Sequence, residues 1–181
     1  MTKYIITQPT EADADGLINM HVRSWLVTYP SEENGVSEDF VRDRVKRFTT
    51  SEGQEKRRDY IRESYSNPDY YLRVAKDETG TVVGFVDARR GATNELCGLY
   101  IDSSAYGSGL ATELAEPALE WLGKGKDIMV TVVAYNGRAQ AFYRKLGFAL
   151  VAGSERPYKD TPIRVVDMVR KSKAEKSSRE S

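Results

Sequence analysis

Cysteine is almost missing from this 181-residue sequence: Cys97 stands alone. A single cysteine cannot close an internal disulfide. That argues against a small secreted fold held by cross-links and makes the cytoplasm the expected compartment. Charge of one sign is lacking too, because 27 Lys and Arg balance 27 Asp and Glu. No overall basic excess points to nucleic acid, and no acidic excess points to a disordered solvating chain. Long apolar runs are absent. No stretch approaches the ~20 residues that a membrane span needs, and Met1 to Tyr4 lead in without an apolar region, so no signal peptide is expected. No metal site is expected either. What remains is ordinary globular composition, 40% hydrophobic and 30% charged, in a chain long enough for one domain and short for two. The expected domain spans residues 1–170. The tail 171–181, all small or charged, is expected to be disordered.

Hydrophobic spacing orders the elements. Tyr4 to Thr7 reads as a first strand. From Asp13 to Tyr29, Leu17, Ile18, Val22, Trp25 and Leu26 recur at helical spacing up to Pro30. Ser37 can cap a second helix carrying Phe40, Val41, Val45 and Phe48, and a third runs from about Gln54 to Tyr65. Tyr71–Ala75 and Thr81–Ala88 flank the turn Asp77–Gly80 and predict a hairpin. Strand Glu95–Asp102, a glycine-containing loop, helix Leu110–Leu122, apolar strand Ile128–Ala134, helix Arg138–Leu146 and strands Phe148–Ser154 and Ile163–Val169 follow. Asn136 caps the last helix and Gly147 closes it. Pro117 should kink the helix that contains it. The order predicts a mixed α+β domain on a central sheet, with a right-handed, locally parallel crossover around helix 110–122.

The loop Tyr106-Gly107-Ser108-Gly109 joins a strand to a helix that begins Leu110-Ala111-Thr112. Backbone N–H groups at such a helix start lack internal partners, and the helix dipole adds positive potential, so a pyrophosphate fits there. Gly107 and Gly109 permit positive φ and close approach. The Ser108 and Thr112 hydroxyls can donate to phosphate oxygens. An ordinary tight turn would look the same in sequence. A nucleotide P-loop is excluded, since no Lys followed by Ser or Thr opens the helix, and the dinucleotide fingerprint lacks its third glycine.

Further along, Asn136, Ala139, Phe142, Tyr143, Lys145, Gly147 and Phe148 form the run Asn-x-x-Ala-x-x-Phe-Tyr-x-Lys-x-Gly-Phe. This run resembles the second cofactor motif of the GNAT superfamily of N-acetyltransferases. The loop at 106–111 resembles that superfamily's pyrophosphate motif, Gln/Arg-x-x-Gly-x-Gly/Ala, with Gly109 and Ala111 matching and Tyr106 departing at the Gln/Arg position. The pattern of elements fits from about residue 4 to residue 169. The resemblance implies an acetyl-CoA-dependent N-acetyltransferase with a mostly antiparallel sheet splayed between two parallel strands. The pantetheine arm would lie in that gap, along the strand edge Leu99, Tyr100 and Ile101. Asn136 would bond its amide, and Ala139 and Phe142 would line its apolar part. Tyr143 would be the general acid that protonates the leaving thiolate, and a backbone N–H near Leu99 would polarise the acetyl carbonyl. Arg138, Arg144 and Lys145 are unranked candidates for the 3′-phosphate. Phe142 and Tyr143 also read as core aromatics.

The acceptor amine must be neutral to attack, which calls for a base. Glu95 is the first candidate and Asp87 the second, with direct attack in a ternary complex. Cys97 reads as a buried or half-buried strand cysteine rather than a nucleophile. Trp25, Tyr29 and His21 on the first helix are expected near the acceptor, or His21 at a core edge. A small-molecule amine is the expected acceptor, because the helices before residue 67 suit a closed pocket. A peptide or protein acetyltransferase and a non-catalytic acyl-CoA-binding module are the alternatives. Sheet-edge pairing or strand exchange at the C-terminal strands, common among similar proteins, makes a homodimer the expected assembly.

Overall fold

A computed structural model describes residues 4–173; the expectation for the tail from 174 onward lies outside the described residues. Eight strands form one sheet: β1 (Ile5–Thr7), β2 (Tyr70–Lys76), β3 (Val82–Arg89), β4 (Asn94–Ile101), β5 (Ile128–Val133), β6 (Ala149–Leu150), β7 (Arg156–Pro157) and β8 (Arg164–Arg170). Their order is β1-β2-β3-β4-β5-β8-β6, with β7 also paired to β8. Every pairing is antiparallel except β4 with β5. Helices α4 (Leu110–Leu122) and α5 (Gly137–Lys145) pack on one face; α1 (Ala14–Thr28), α2 (Glu38–Thr49) and α3 (Ser51–Ser66) pack on the other.

Local chemistry explains where elements start and stop. The Ser37 hydroxyl accepts from the Phe40 N–H and begins α2 as expected. Helix α3 begins three residues earlier than the apolar spacing suggests, because the Thr50 side chain caps it through the Gly53 N–H. The strand expected over 148–154 shrinks to Ala149–Leu150, since the chain turns at once and the Ser154 hydroxyl donates to the Val151 carbonyl. Helix α4 runs unbroken through Pro117. Its apolar face holds it there: Leu110, Leu114 and Ala118 are fully buried against β3 and β4. Each leucine contributes about 2 kcal/mol of burial, which offsets the one hydrogen bond that proline removes.

Two irregularities position the site. The β3–β4 register slips between Asp87, opposite Gly98, and Ala88, opposite Leu96, so Cys97 is the extra residue of a bulge. The parallel pairing of β4 and β5 lasts only for Asn94 with Ile128 and Glu95 with Met129. Beyond those pairs the two strands part, and the β5-facing edge of β4 from Leu96 onward has no strand beside it among the described residues.

Candidate active site

The gap between the parted strands is a cavity of about 260 Å³. Its walls are the β4 segment Cys97–Ile101, the β5 segment Val130–Val133, the loop around Gly107 and Gly109, and Asn136, Ala139, Phe142 and Tyr143 of α5 with its cap. Helix α1 closes the far side with Ser24, Thr28 and Tyr29. Most residues chosen from sequence for the cofactor thus meet around one cleft. Ser108, Thr112 and Lys145 do not line it. The Ser108 hydroxyl is committed to the loop itself, donating to the Ala105 carbonyl at 2.7 Å and accepting from the Leu110 N–H at 3.3 Å.

The loop has the geometry of an anion cradle. Gly107 and Gly109 sit at φ 76° and 91°, which a side chain resists. The N–H groups of Gly107, Gly109 and Ala111 have no hydrogen-bond partner among the described residues. All three residues line the cavity at the positive end of α4. The loop is held from α1: the Arg23 guanidinium pairs with Asp102 at 2.8 Å, and the other Asp102 oxygen accepts from the Ser104 N–H. Those partners keep the Asp102 carboxyl below its usual pKa despite partial burial. Sequence reasoning missed Arg23 because its partner lies 79 residues away. Across the cleft, Arg138 at the start of α5 stacks on the Tyr106 ring, 3.7 Å from its centre. The ring therefore carries a guanidinium to the mouth of the loop, where the motif it resembles has a Gln or Arg.

Tyr143 is 5% exposed, and its hydroxyl has no hydrogen-bond partner among the described residues. Burial, with Tyr100 nearby, pushes its pKa up, so the phenol stays protonated. The Asn136 side chain caps α5 by accepting from the Ala139 N–H at 3.0 Å, and it also lines the cleft. On the α1–α3 side of β4 lies a second, polar group. Asp87 is half-buried and accepts from the Tyr60 hydroxyl. Burial raises its pKa, against the pull of Tyr60 and of the Arg89 and Arg57 charges; nearby Glu95 raises it further. The expectation of a buried or half-buried Cys97 is corrected: at the bulge it is exposed, on the wall of the cleft. Crowding around the sulfur and the carboxylates of Asp87 and Glu95 still push its thiol pKa up.

Trp25 does not reach the cleft. Its indole N–H donates to His21 Nε2 at 2.8 Å within the core, whereas Tyr29 does line the cleft and meets the Tyr100 hydroxyl at 3.2 Å. His21 is 9% exposed, and burial, then the charges of Arg57 and Arg47, lower its pKa from 6.5 to about 3. In the unfolded chain the ring gains a proton below about pH 6.5, while the folded ring does not until about 3. The stability this contributes is present above pH 6.5 and is lost as pH falls toward 3. At pH 5 the expected loss is about 2 kcal/mol relative to pH 7.5. Urea unfolding at both pH values should show that loss in the natural protein and not in His21→Gln, whose side-chain carbonyl still accepts from Trp25. An equal pH dependence in both would contradict the buried neutral ring.

Comparison with known proteins agrees with the fold. The model of the acetyltransferase (GNAT) family matches residues 34–148. Among solved structures, PaiA N-acetyltransferase from Thermoplasma acidophilum, in complex with coenzyme A, superposes with a TM-score of 0.72 at 23% identity, covering 94% of this chain and 99% of that one. A GNAT acetyltransferase from Streptococcus pneumoniae gives 0.71 at 21% identity, over 94% and 100%. One from Staphylococcus aureus gives 0.63 at 15%, also over 94% and 100%. At these identities the likeness is one of fold. No curated protein matches the chain in sequence. Among the described residues no helix is long and apolar enough to cross a membrane, and no cluster of His, Cys, Asp and Glu is grouped to hold a metal.

Proposed function

The chain belongs to the GNAT family of acetyltransferases, and from that premise we propose that it acetylates a primary amine of a small molecule by direct attack. The family's cofactor, acetyl-CoA, supplies an acetyl thioester whose carbonyl the amine attacks and whose thiolate departs. The free N–H groups of Gly107, Gly109 and Ala111 suit its pyrophosphate, and the unpaired edge Leu99–Ile101 suits its amide arm. One observation carries the reading: the Tyr143 hydroxyl stands on the wall of the cleft between the parted strands with no hydrogen-bond partner among the described residues. Tyr143 gives its proton to the departing sulfur. Desolvation raises the proton affinity of a thiolate as it raises that of the phenol, so the transfer stays matched. Asp87 takes the proton from the amine: it faces the bulge at Gly98, and its raised pKa, helped by Glu95, makes it a stronger base than a free carboxylate. A thiol-release assay over a panel of small amines tests this; release that requires an amine supports it, and release on none of them counts against it.

Direct attack also predicts the outcome at Cys97. Its raised pKa keeps the thiol protonated, so it is a poor nucleophile. Cys97→Ala should retain turnover within about threefold, less than 1 kcal/mol of barrier, and mass spectrometry should find no acetylated enzyme after mixing with acetyl-CoA alone. Loss of turnover with an acetyl adduct on Cys97 would replace direct attack by an acyl-enzyme route.

A further inference from the structure

On α2 and α3 three arginines are ion-paired, Arg42 with Glu38, Arg58 with Asp15 and Arg62 with Glu11; Arg44 and exposed Arg47, which lies over the Phe48 ring, have no carboxylate within ion-pair distance among the described residues. Arg57 turns inward over the Phe85 ring and has no carboxylate within ion-pair distance among the described residues. Its polar neighbour is His21, with Arg57 Nη2 3.3 Å from His21 Nδ1. The Trp25 indole N–H can only donate, so His21 Nε2, which it meets at 2.8 Å, must present its lone pair. The proton of the neutral ring is then on Nδ1, facing a guanidinium that also can only donate. Protonating the ring does not help, because Nε2 would lose the lone pair that Trp25 uses. A buried ring N–H and a partly buried guanidinium meet with no acceptor between them among the described residues, an arrangement that is costly until a third group accepts from both.

We propose that the third group is a carboxylate of the acceptor, so that the enzyme's substrates are amines that also carry a carboxylate, as amino acids do. This rests on the amine-acetylation reading above. The placement suits such a molecule. The His21 ring packs edge-on against Tyr100, a cleft residue, at 4.4 Å between centres. Phe85, beneath Arg57, lies two residues before Asp87 on the same strand, so both side chains share a face. A carboxylate held by Arg57 and the His21 Nδ1–H leaves the amine of a small amino acid beside Asp87, opposite Gly98. Guanidinium and carboxylate match as a planar pair, and the imidazole N–H adds a directed donor.

The test compares alanine, leucine, phenylalanine, glutamate and lysine, each against its own carboxamide, as acceptors. The natural protein should favour the free carboxylates by at least about a hundredfold in kcat/KM, as expected where buried donors are left unpaired. Arg57→Gln should erase the preference with the acetyl-CoA affinity unchanged, and Arg57→Lys should restore part of it. Because His21 is the sole histidine, its ring N–H resonance gives a second readout. In the presence of coenzyme A it should shift on adding an amino acid and stay still on adding the carboxamide, and His21→Gln should lose the same preference. Carboxamides used as well as the acids, an equal loss on both classes in Arg57→Gln, or an unmoved resonance would overturn the donor pair. A protein that binds acetyl-CoA and acetylates carboxylate-free amines sinks this inference alone; one that binds no acetyl-CoA sinks the reading beneath it as well.

Discussion

Tyr143→Phe is expected to lower kcat by about a hundred- to a thousandfold, the range for removing a positioned general acid, while leaving the acetyl-CoA dissociation constant within about twofold, under 0.5 kcal/mol. The ring is packed against Phe142 and Phe148, and phenylalanine keeps those contacts. The hydroxyl makes no hydrogen bond among the described residues, so its removal orphans nothing there and should leave stability nearly unchanged. The loss then falls on the step in which the thiolate departs. Steady-state kinetics with parallel calorimetry separates the terms. An equal fall in cofactor affinity would make Tyr143 a packing residue, and unchanged turnover would remove it from the mechanism.

Gly109→Val should abolish practical cofactor binding, raising the acetyl-CoA dissociation constant by at least about a hundredfold, or 2.7 kcal/mol. Nothing lies within 4 Å of a Cβ built at Gly109, so the penalty is not a clash within the protein. It comes from φ 91°, a conformation that a β-branched residue resists at about 1–3 kcal/mol. The loop relieves that strain by turning away the N–H groups that form the cradle. Gly80→Val is the control: φ is 85° in the β2–β3 turn, again with open space around it. It should lose comparable stability and keep its cofactor affinity. Similar affinity losses in both proteins would assign the effect to general destabilisation rather than to the cradle.

The sequence made these two sites legible because their signals are short-range. A glycine at positive φ, an Asn cap and a closing Gly147 each act within a few residues, and the Asn136 to Phe148 run holds its pattern on one helix and its two ends. The parting of β4 from β5 was legible only through resemblance to a family. Nothing in the strands themselves announces that pairing stops after Glu95 and Met129. The exposure of Cys97 escaped for a related reason: alternation cannot register the extra residue of a bulge, although a Cys-Gly pair inside a strand hints at one. Arg57 and His21 meet 36 residues apart, from different helices. The Trp25 N–H turns inward to His21, four residues before it on the same helix. In the other cases the missing information was tertiary, a partner brought in from across the sheet.

The most direct measurement is a calorimetric titration of the natural protein with acetyl-CoA, with Gly109→Val run beside it. The account predicts one site per chain with micromolar affinity in the natural protein and no measurable heat of binding in the variant. No binding by the natural protein, or undiminished binding by the variant, would contradict the claim that the cleft between β4 and β5, closed by the loop at 106–111, is the cofactor site.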